Sequence, residues 1–352
     1  MKKRSKKYNK KRKKINNKKR SKNLNINILA FLLIMITFLC LNYINTSQNN
    51  YNHVLYVNNQ SKLSNEQDAV ENQTKLLYNT CLNEKYSDND LDEVINNKLL
   101  EISSLLNNYN VSVSFYNPST NFSYNYNSDR VYYAASTIKM LDAIYIYENA
   151  ANGLINLDDT LIYQKDNKFA ASAMMQNYNI GDSVSIRNLV KYAIMVSDNT
   201  AHDMLINYIG KDNLQDFGQS LGAQYTLYVS DNFGSITNSD AIIYLTELNN
   251  FINSNSTLGS ELQSYFVNSD QNYLKISDYN IEAAEKYGQY GELYHENGIV
   301  YSNHPYLISI LTTEGNDDYE SIIKTINLKI YELNELFYSE RQAKCNLEYY
   351  PN

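Results

Sequence analysis

A continuous apolar segment near the N-terminus constrains this chain more than any other feature. Residues Ile26–Ile44 (INILAFLLIMITFLCLNYI) include no charged side chain. At about 1.5 Å per helical residue, a segment of this length matches the hydrocarbon core of a bilayer. It predicts one transmembrane helix, with bounds at 24–45. A cleaved signal peptide is the weaker alternative, because no small-x-small cleavage site follows.

The charge distribution predicts how this helix is oriented. Residues 1–23 contain 14 Lys and Arg and no acid, which predicts a basic cytoplasmic tail and places the rest of the chain outside the cell membrane. We prefer this topology signal to a nucleic-acid-binding arm because the tail directly abuts the apolar segment. The other residues carry 17 basic against 38 acidic groups, which excludes nucleic acid as a partner of the main body. The prediction is a single-pass membrane protein with an extracytoplasmic domain.

The three cysteines fit this orientation. Cys40 lies in the predicted span, whereas Cys81 and Cys345 lie outside it, one on each side of the main folded region. Terminal elements of a domain often pack together, and the exterior is oxidising. We therefore hypothesise a Cys81–Cys345 disulfide, with two free thiols as the alternative.

The outer part divides by composition and periodicity. Residues 46–88 are polar and predict a stalk, 89–340 predict the folded domain, and 341–352 a C-terminal tail. Helical periodicity at 91–106 precedes two alternating segments at 111–115 and 122–126. A mainly helical block at 134–238 follows, then three strands (283–289, 292–301, 306–312) and a helix at 319–337. This order predicts a monomeric α+β fold, with a five-stranded antiparallel sheet flanked by helices and an all-helical insertion.

Several kinds of chemistry are disfavoured by the residues present. The four histidines include no pair at the i, i+4 spacing of a helical zinc site, so we predict no metal site. The sequence also lacks a glycine-rich phosphate loop and a G-x-S-x-G nucleophile elbow, and we predict no cofactor.

What remains is a serine paired with a lysine. Ser136 and Lys139 are three residues apart, on one face of a predicted helix, where a shielded amine can accept the proton of the serine hydroxyl. Ser321 and Lys324 repeat the spacing within the last amphipathic helix, where we interpret them as surface residues. Small residues before Ser136 favour the first pair, because they allow close approach of another backbone.

Two further polar motifs fall between predicted elements. Ser197-Asp198-Asn199 separates two helices, so that Ser197 can relay a proton and Asn199 can bind an amide. The same tripeptide at Ser87 and at Ser230 is interpreted as loop or capping sequence. Lys286-Tyr287-Gly288 lies on a predicted strand, where Lys286 can hold a substrate carboxylate and Gly288 lets a substrate lie flat along the strand edge. An exposed lysine beside a bulge glycine is an equal alternative for this tripeptide alone.

Together, S-x-x-K, S-D-N about sixty residues later and K-x-G on a late strand resemble the penicillin-recognising serine enzymes, in particular class A β-lactamases. The resemblance covers about residues 89–340. It implies a β-lactam or peptidoglycan-type D-Ala peptide as substrate and an acyl-enzyme mechanism. The residues it assigns are, for catalysis, Ser136 as nucleophile, Lys139 as its base and Ser197 as relay, and, for substrate binding, Asn199, Lys286, Gly288 and Gln289. The backbone N–H groups of Ser136 and Gln289 would form the oxyanion hole.

The sequence departs from this family at two places. The family has an E-x-x-L-N segment whose glutamate activates the deacylating water, and the nearest match, Glu247-Leu248-Asn249, lacks the spacer and continues a helical pattern. Tyr287 also replaces the Thr or Ser of the third motif. We therefore expect slow deacylation, with Asp231 as the substitute base if recovery is fast. The alternatives are a D,D-peptidase-like acyltransferase and a non-catalytic cell-wall ligand-binding or sensor domain.

Overall fold

The computed structural model describes residues 29–48, 67–85, 92–169, 172–225, 232–254, 257–313 and 318–350. It contains two compact units, Met1–Leu77 and Tyr78–Asn352. In the first unit, helix α1 (Leu29–Gln48) is long and apolar enough to cross a membrane, and its side chains, including that of Cys40, are exposed. This candidate span begins within the predicted segment 24–45 and ends at Gln48, three residues beyond the predicted end. Residues 24–28 lie outside the described part of the chain.

Part of the predicted stalk is helical. Residues 67–82 form a helix within the segment 46–88 that the polar composition predicted to be a stalk. The segment contains straight-chain polar residues such as Gln67, Glu71 and Gln73, which lose little side-chain freedom in a helix. Polar composition did not indicate the backbone structure of this segment.

A disulfide joins the two ends of the second unit. Cys81 and Cys345 are bonded, with their Cα atoms 6.0 Å apart and a sequence separation of 264, which confirms the hypothesis. Cys345 lies in the last helix, α9 (Tyr319–Tyr349), which is longer than the predicted 319–337. Most of the segment 341–352, predicted as a tail, is thus helical. The apolar periodicity fades after Phe337, but the disulfide holds this end of the helix against the rest of the unit.

Removing this disulfide is expected to destabilise the second unit. Without the cross-link the unfolded chain gains conformational freedom, so a Cys81→Ser/Cys345→Ser variant should lose about 2–4 kcal/mol of unfolding free energy. Urea denaturation of the oxidised protein and the variant measures the difference, and Cys40→Ser serves as the control that leaves the disulfide intact. An unchanged denaturation midpoint in the double variant would contradict the prediction.

The main sheet has the predicted five antiparallel strands. The strands are β1 (Val111–Tyr116), β2 (Ser123–Tyr126), β7 (Ala283–Tyr290), β8 (Leu293–Val300) and β9 (Tyr306–Thr312). Their spatial order is β2-β1-β9-β8-β7, so the two early strands join the three late ones through the pairing of β1 with β9. Because β7 lies at the edge, its motif residues border the space outside the sheet.

Both faces of the sheet are covered. In β9, Leu307 and Leu311 belong to the core on the side of the helical insertion, whereas Ile308 and Ile310 belong to a second core with α2 (Glu93–Leu106) and α9. The serines that alternate with apolar residues in β1 are consequently buried and hydrogen-bonded: Ser112 contacts the hydroxyl of Tyr132 at 2.9 Å. In β1, the residues that alternate along the strand therefore point to two buried faces of the sheet, and neither face is exposed to solvent.

The helical insertion follows directly after β3 (Tyr132–Tyr133). It contains α3 (Lys139–Ala151), β4 (Thr160–Ile162), β5 (Ser183–Ser185), α4 (Ile186–Met195), α5 (Asn199–Ile209), α6 (Lys211–Ser220), β6 (Ser235–Ile236), α7 (Asn238–Ser254) and α8 (Leu258–Val267). The short strands β3 and β6 pair with each other, and the N–H of Ala134 donates to the carbonyl of Gly234. This pairing brings the residues just before β6 next to the start of α3.

Candidate active site

Ser136 lies where a short 3₁₀ turn, Ala135–Ile138, leads into α3. Ala135 has a φ of 49°, a left-handed conformation that costs a non-glycine residue on the order of 1 kcal/mol. The Thr137 hydroxyl donates to the carbonyl of Ala134 at 2.6 Å and holds the turn closed. The turn presents the half-exposed Ser136 while Lys139, one turn later, is buried.

The Ser197-Asp198-Asn199 segment connects α4 to α5, as predicted. Ser197 is also left-handed, with a φ of 51°. Asp198 is buried and accepts three backbone N–H bonds, from Ala201 at the start of α5 and from Met174 and Met175 in a neighbouring loop. Asp198 thereby fixes the connection in position, a role that the motif did not reveal.

The amine of Lys139 joins the first two motifs. Its Nζ lies 2.7 Å from the carbonyl oxygen of Ser197 and 2.6 Å from Asn199 Oδ1, which can only accept hydrogen bonds. The hydroxyls of Ser136 and Ser197 lie at 3.0 and 3.1 Å. In the neutral amine, the two acceptors take both N–H groups, so the lone pair is left for a hydroxyl. The geometry is that of a base placed beside a nucleophile.

The environment of Lys139 favours this neutral form. The side chain is completely buried, and burial is the main reason that its pKa lies well below the usual value. The positive charge of Lys286 lowers the pKa further, whereas the carboxylates of Asp142 and Asp198 act in the opposite direction. Because Lys139 and Lys286 are both buried beside Ser197, the positive charge of one amine makes it easier for the other to lose its proton.

Lys286 is less accessible than the sequence predicted. Its Nζ lies 3.1 Å from Ser197 Oγ and 2.8 Å from the carbonyl oxygen of Tyr287, and the side chain is completely buried. The amine also lies 3.8 Å from the centre of the Tyr287 ring. Lys286 is therefore part of the cluster around Ser197, and the alternative of an exposed strand lysine is wrong.

Burial of Lys286 should make stability depend on pH. Burial lowers its pKa from 10.5 to about 7, partly offset by the carboxylates of Glu296 and Asp270. Between pH 7 and about 10.4 the unfolded chain binds more protons than the folded one, so the unfolding free energy rises with pH, by at most about 1.4 kcal/mol per unit. Relative to a Lys286→Met variant, the wild type should therefore gain stability from pH 7 to pH 10.

Urea denaturation at each pH unit in this range measures the difference between wild type and Lys286→Met. The control is Lys324→Met, which removes an exposed lysine paired with Glu320, so its difference from wild type should stay nearly constant. If the Lys286→Met difference is also constant, Lys286 is protonated across the range and the prediction fails.

Gly288 is required for a different reason than predicted. A side-chain carbon there would come within 2.8 Å of Thr137 Cγ2 and 3.1 Å of the Ala134 carbonyl oxygen. The missing side chain lets β7 pack against the turn that holds Ser136, not against a substrate. Gln289, two residues before the exposed turn at Gly291, donates from its side chain to the Tyr294 hydroxyl at 3.0 Å.

These residues border one open cleft of about 420 Å³. Four of the seven predicted site residues line it, namely Ser136, Ser197, Asn199 and Gln289. Lys139 hydrogen-bonds to the first three of these, and Lys286 hydrogen-bonds to Ser197. Lys286 and Gly288 support the wall from the β7 side. The structure thus brings all three motifs together.

The sequence did not predict Phe233, which lies on another side of Lys139. Its ring centre is 5.7 Å from the Lys139 amine, and the β3–β6 pairing fixes its position next to the Ser136 turn. Among the described residues no carboxylate hydrogen-bonds to Lys139. Asp231, considered as a substitute base, lies outside the described residues, as do Ser230 and the whole S-D-N copy at Ser87.

A buried histidine–carboxylate pair also escaped prediction. His202 Nδ1 lies 2.5 Å from Asp142 Oδ2, and His202 Nε2 contacts the carbonyl oxygen of Asn232 at 3.0 Å. A spacing signal was available, since Asp142 follows Lys139 by three residues and His202 follows Asn199 by three. If the two motifs meet, the side chains one helical turn deeper must meet as well.

The second S-x-x-K pair and the segment nearest to E-x-x-L-N both lie in regular helices. Ser321 and Lys324 are both exposed on α9, as interpreted. Glu247-Leu248-Asn249 continues helix α7. In the described part of the chain, no group of three His, Cys, Asp or Glu residues is arranged to hold a metal ion.

The protein has an antiparallel sheet with a helical insertion and a cleft that contains a serine and a lysine. This combination defines the class of proteins with the β-lactamase fold, which is related to the serine hydrolases. Residues 97–333, more than half of the chain, match the sequence profile of the Beta-lactamase enzyme family. The chain belongs to this family. None of the curated proteins compared with the chain matches it in sequence.

Solved structures with this fold include two kinds of protein. PBP-A, in the structure of a point mutant described as an acyl-enzyme complex with penicillin G, has a TM-score of 0.63 at 18% identity and covers 68% of this chain and 97% of its own. A β-lactamase from Sphaerobacter thermophilus has a TM-score of 0.59 at 19% identity and covers 70% and 99%. An ancestral (GNCA) class A β-lactamase has a TM-score of 0.57 at 18% identity and covers 68% and 99%. At these identities the likeness shows the fold alone.

Proposed function

We propose that the protein is a membrane-anchored, extracytoplasmic serine hydrolase that forms an acyl-enzyme at Ser136 with β-lactams or related D-Ala peptides and deacylates slowly. The observation that carries this proposal is the buried Lys139 amine, 3.0 Å from Ser136 Oγ and with its two N–H groups engaged elsewhere. A neutral amine in this place removes the hydroxyl proton as the oxygen attacks a carbonyl carbon.

The other residues of the cleft complete the acylation step. The Ser136 Oγ–carbon bond forms, the carbon–nitrogen bond breaks, and the proton passes from Lys139 through the Ser197 hydroxyl to the leaving nitrogen. The contacts of Ser197 with both lysines support this relay. Asn199 positions the substrate amide, and the backbone N–H groups of Ser136 and Gln289 stabilise the oxyanion, a contribution of about 3 kcal/mol in comparable sites.

Slow deacylation follows from the surroundings of Lys139. Hydrolysis of the ester needs a base to activate water, but among the described residues no carboxylate hydrogen-bonds to Lys139, and the aromatic ring of Phe233 lies beside its amine. The lack of such a base in the described part of the chain also supports the second candidate function, a cell-wall ligand-binding or sensor domain that does not turn over its ligand.

The location is inferred from two independent features. Helix α1 is a candidate membrane span that follows the basic tail. The Cys81–Cys345 disulfide is typical of an oxidising compartment outside the cytoplasm. Both support a catalytic domain on the outer side of the cell membrane.

Labelling with a fluorescent penicillin tests the proposal. The wild type should give a covalent fluorescent band that persists after excess probe is removed, and Ser136→Ala should give none. Ser321→Ala, which alters the exposed serine of the second S-x-x-K, is the matched control and should label normally. No band for the wild type at high probe concentration would favour the binding module, and rapid loss of the band would refute slow deacylation.

A further inference from the structure

The wall of the cleft is uncharged. Its described lining residues include neither an acid nor a base, although a substrate carboxylate normally binds a cation. They are Ser136, Ser172, Ala173, Gln176, Val196, Ser197, Asn199, Gln271, Tyr287 and Gln289. The nearby lysines, Lys139 and Lys286, have no exposed surface at all.

Tyr287 separates Lys286 from the cleft. The half-buried ring lies over the amine, with 3.8 Å between its centre and Nζ, and the backbone carbonyl of Tyr287 takes one of the lysine's hydrogen bonds at 2.8 Å. Ser197 Oγ takes another at 3.1 Å. An incoming carboxylate would have to displace the ring, and with it the cation–π contact, before it reached the charge.

The surroundings of the Tyr287 phenol also matter. Burial raises the pKa of Tyr287, and the negative charge of the nearby Asp270 carboxylate raises it further. Asp270 is exposed three residues after the end of α8, where its backbone N–H donates to the carbonyl of Met195 at 2.8 Å. A negative charge therefore lies beside the part of the cleft that covers Lys286. There it opposes the approach of a second anion.

We propose that Tyr287 makes this cleft selective for acyl donors in which the carboxyl group next to the reacting amide is neutral, as an ester or an amide. The inference rests on the proposed function, since it concerns the substrate of that same site. A free carboxylate would lose its hydration in a cleft that offers it no accessible cation. A neutral ester or amide loses much less and can hydrogen-bond to the uncharged walls.

Two forms of one penicillin test this inference. Benzylpenicillin and its methyl ester differ only in the carboxyl group, and intact-protein mass spectrometry measures the second-order rate constant for acylation by each. For the wild type we expect the ester to react faster than the acid. Tyr287→Thr uncovers Lys286 and should raise the acid-to-ester ratio of rate constants at least tenfold.

Tyr287→Phe is the matched variant, because it keeps the ring over Lys286 and removes the hydroxyl. It should keep the preference of the wild type, and thermal denaturation confirms that both variants are folded. A wild type that reacts with the acid as fast as with the ester, or faster, would overturn the inference and leave the proposed function intact, as would an unchanged ratio in Tyr287→Thr. If neither form acylates Ser136, the proposed function itself fails.

Discussion

Replacing Lys139 by methionine should lower the rate of acylation at Ser136 by about 10²–10⁴-fold, the usual contribution of a general base. Methionine fills similar space but cannot accept the hydroxyl proton. Because the lysine is fully buried with a lowered pKa, the variant should be at least as stable as the wild type. Stopped-flow or gel-based labelling with a fluorescent penicillin measures the rate, and thermal denaturation the stability.

Two comparisons make this result specific. Lys139→Arg keeps a positive charge that cannot be removed near neutral pH, so it should be as slow as Lys139→Met. Lys324→Met, in the exposed S-x-x-K of α9, should label at the wild-type rate. Undiminished labelling of a folded Lys139→Met variant would mean that another group removes the proton of Ser136.

Replacing Phe233 by glutamate should shorten the lifetime of the acyl-enzyme by about 10²-fold or more. The ring centre of Phe233 is 5.7 Å from the Lys139 amine, so a carboxylate at this position would add a base beside the lysine that contacts Ser136, and we expect it to activate a water molecule. The rate at which the fluorescent band disappears after removal of excess probe, with steady-state hydrolysis of a chromogenic cephalosporin beside it, measures the effect.

Phe233→Gln is the matched control, since its amide has nearly the shape of the glutamate side chain but is no base. It removes the ring and admits water equally, so its adduct should remain long-lived. If glutamine shortens the lifetime as much as glutamate, water access and not a missing base limits the wild type. If glutamate has no effect, the position of Phe233 does not correspond to that of a hydrolytic base.

The order of elements was predictable because it depends on local patterns. Periods of two and of about 3.6 residues in the apolar side chains gave the five strands and the long helices, and the arrangement of two early strands with three late ones is confirmed. The last helix was predicted too short, because its regular apolar positions end at Phe337 whereas α9 continues to Tyr349.

The candidate site was predictable in its membership more than in its geometry. Spacing along the chain brought Ser136 and Lys139 onto one helical turn, and their meeting with Ser197 and Asn199 is seen in the structure. The chemical roles of these residues stay predictions. Gly288 shows the limit: the sequence suggested room for a substrate, whereas the space is filled by Thr137 and Ala134.

By itself, the sequence determined the three motifs, the candidate membrane span and the pair of cysteines able to join the ends of the domain, because each depends on residue type and spacing. Tertiary structure alone decided that Lys139 and Lys286 are buried, that Tyr287 covers one amine and that Phe233 lies against the other. The physical reason is that solvation and charge at an amine depend on which distant segments pack around it. Ser197 and Lys286, which are 89 positions apart in the sequence, meet here, and no local pattern specifies which distant side chains will lie face to face.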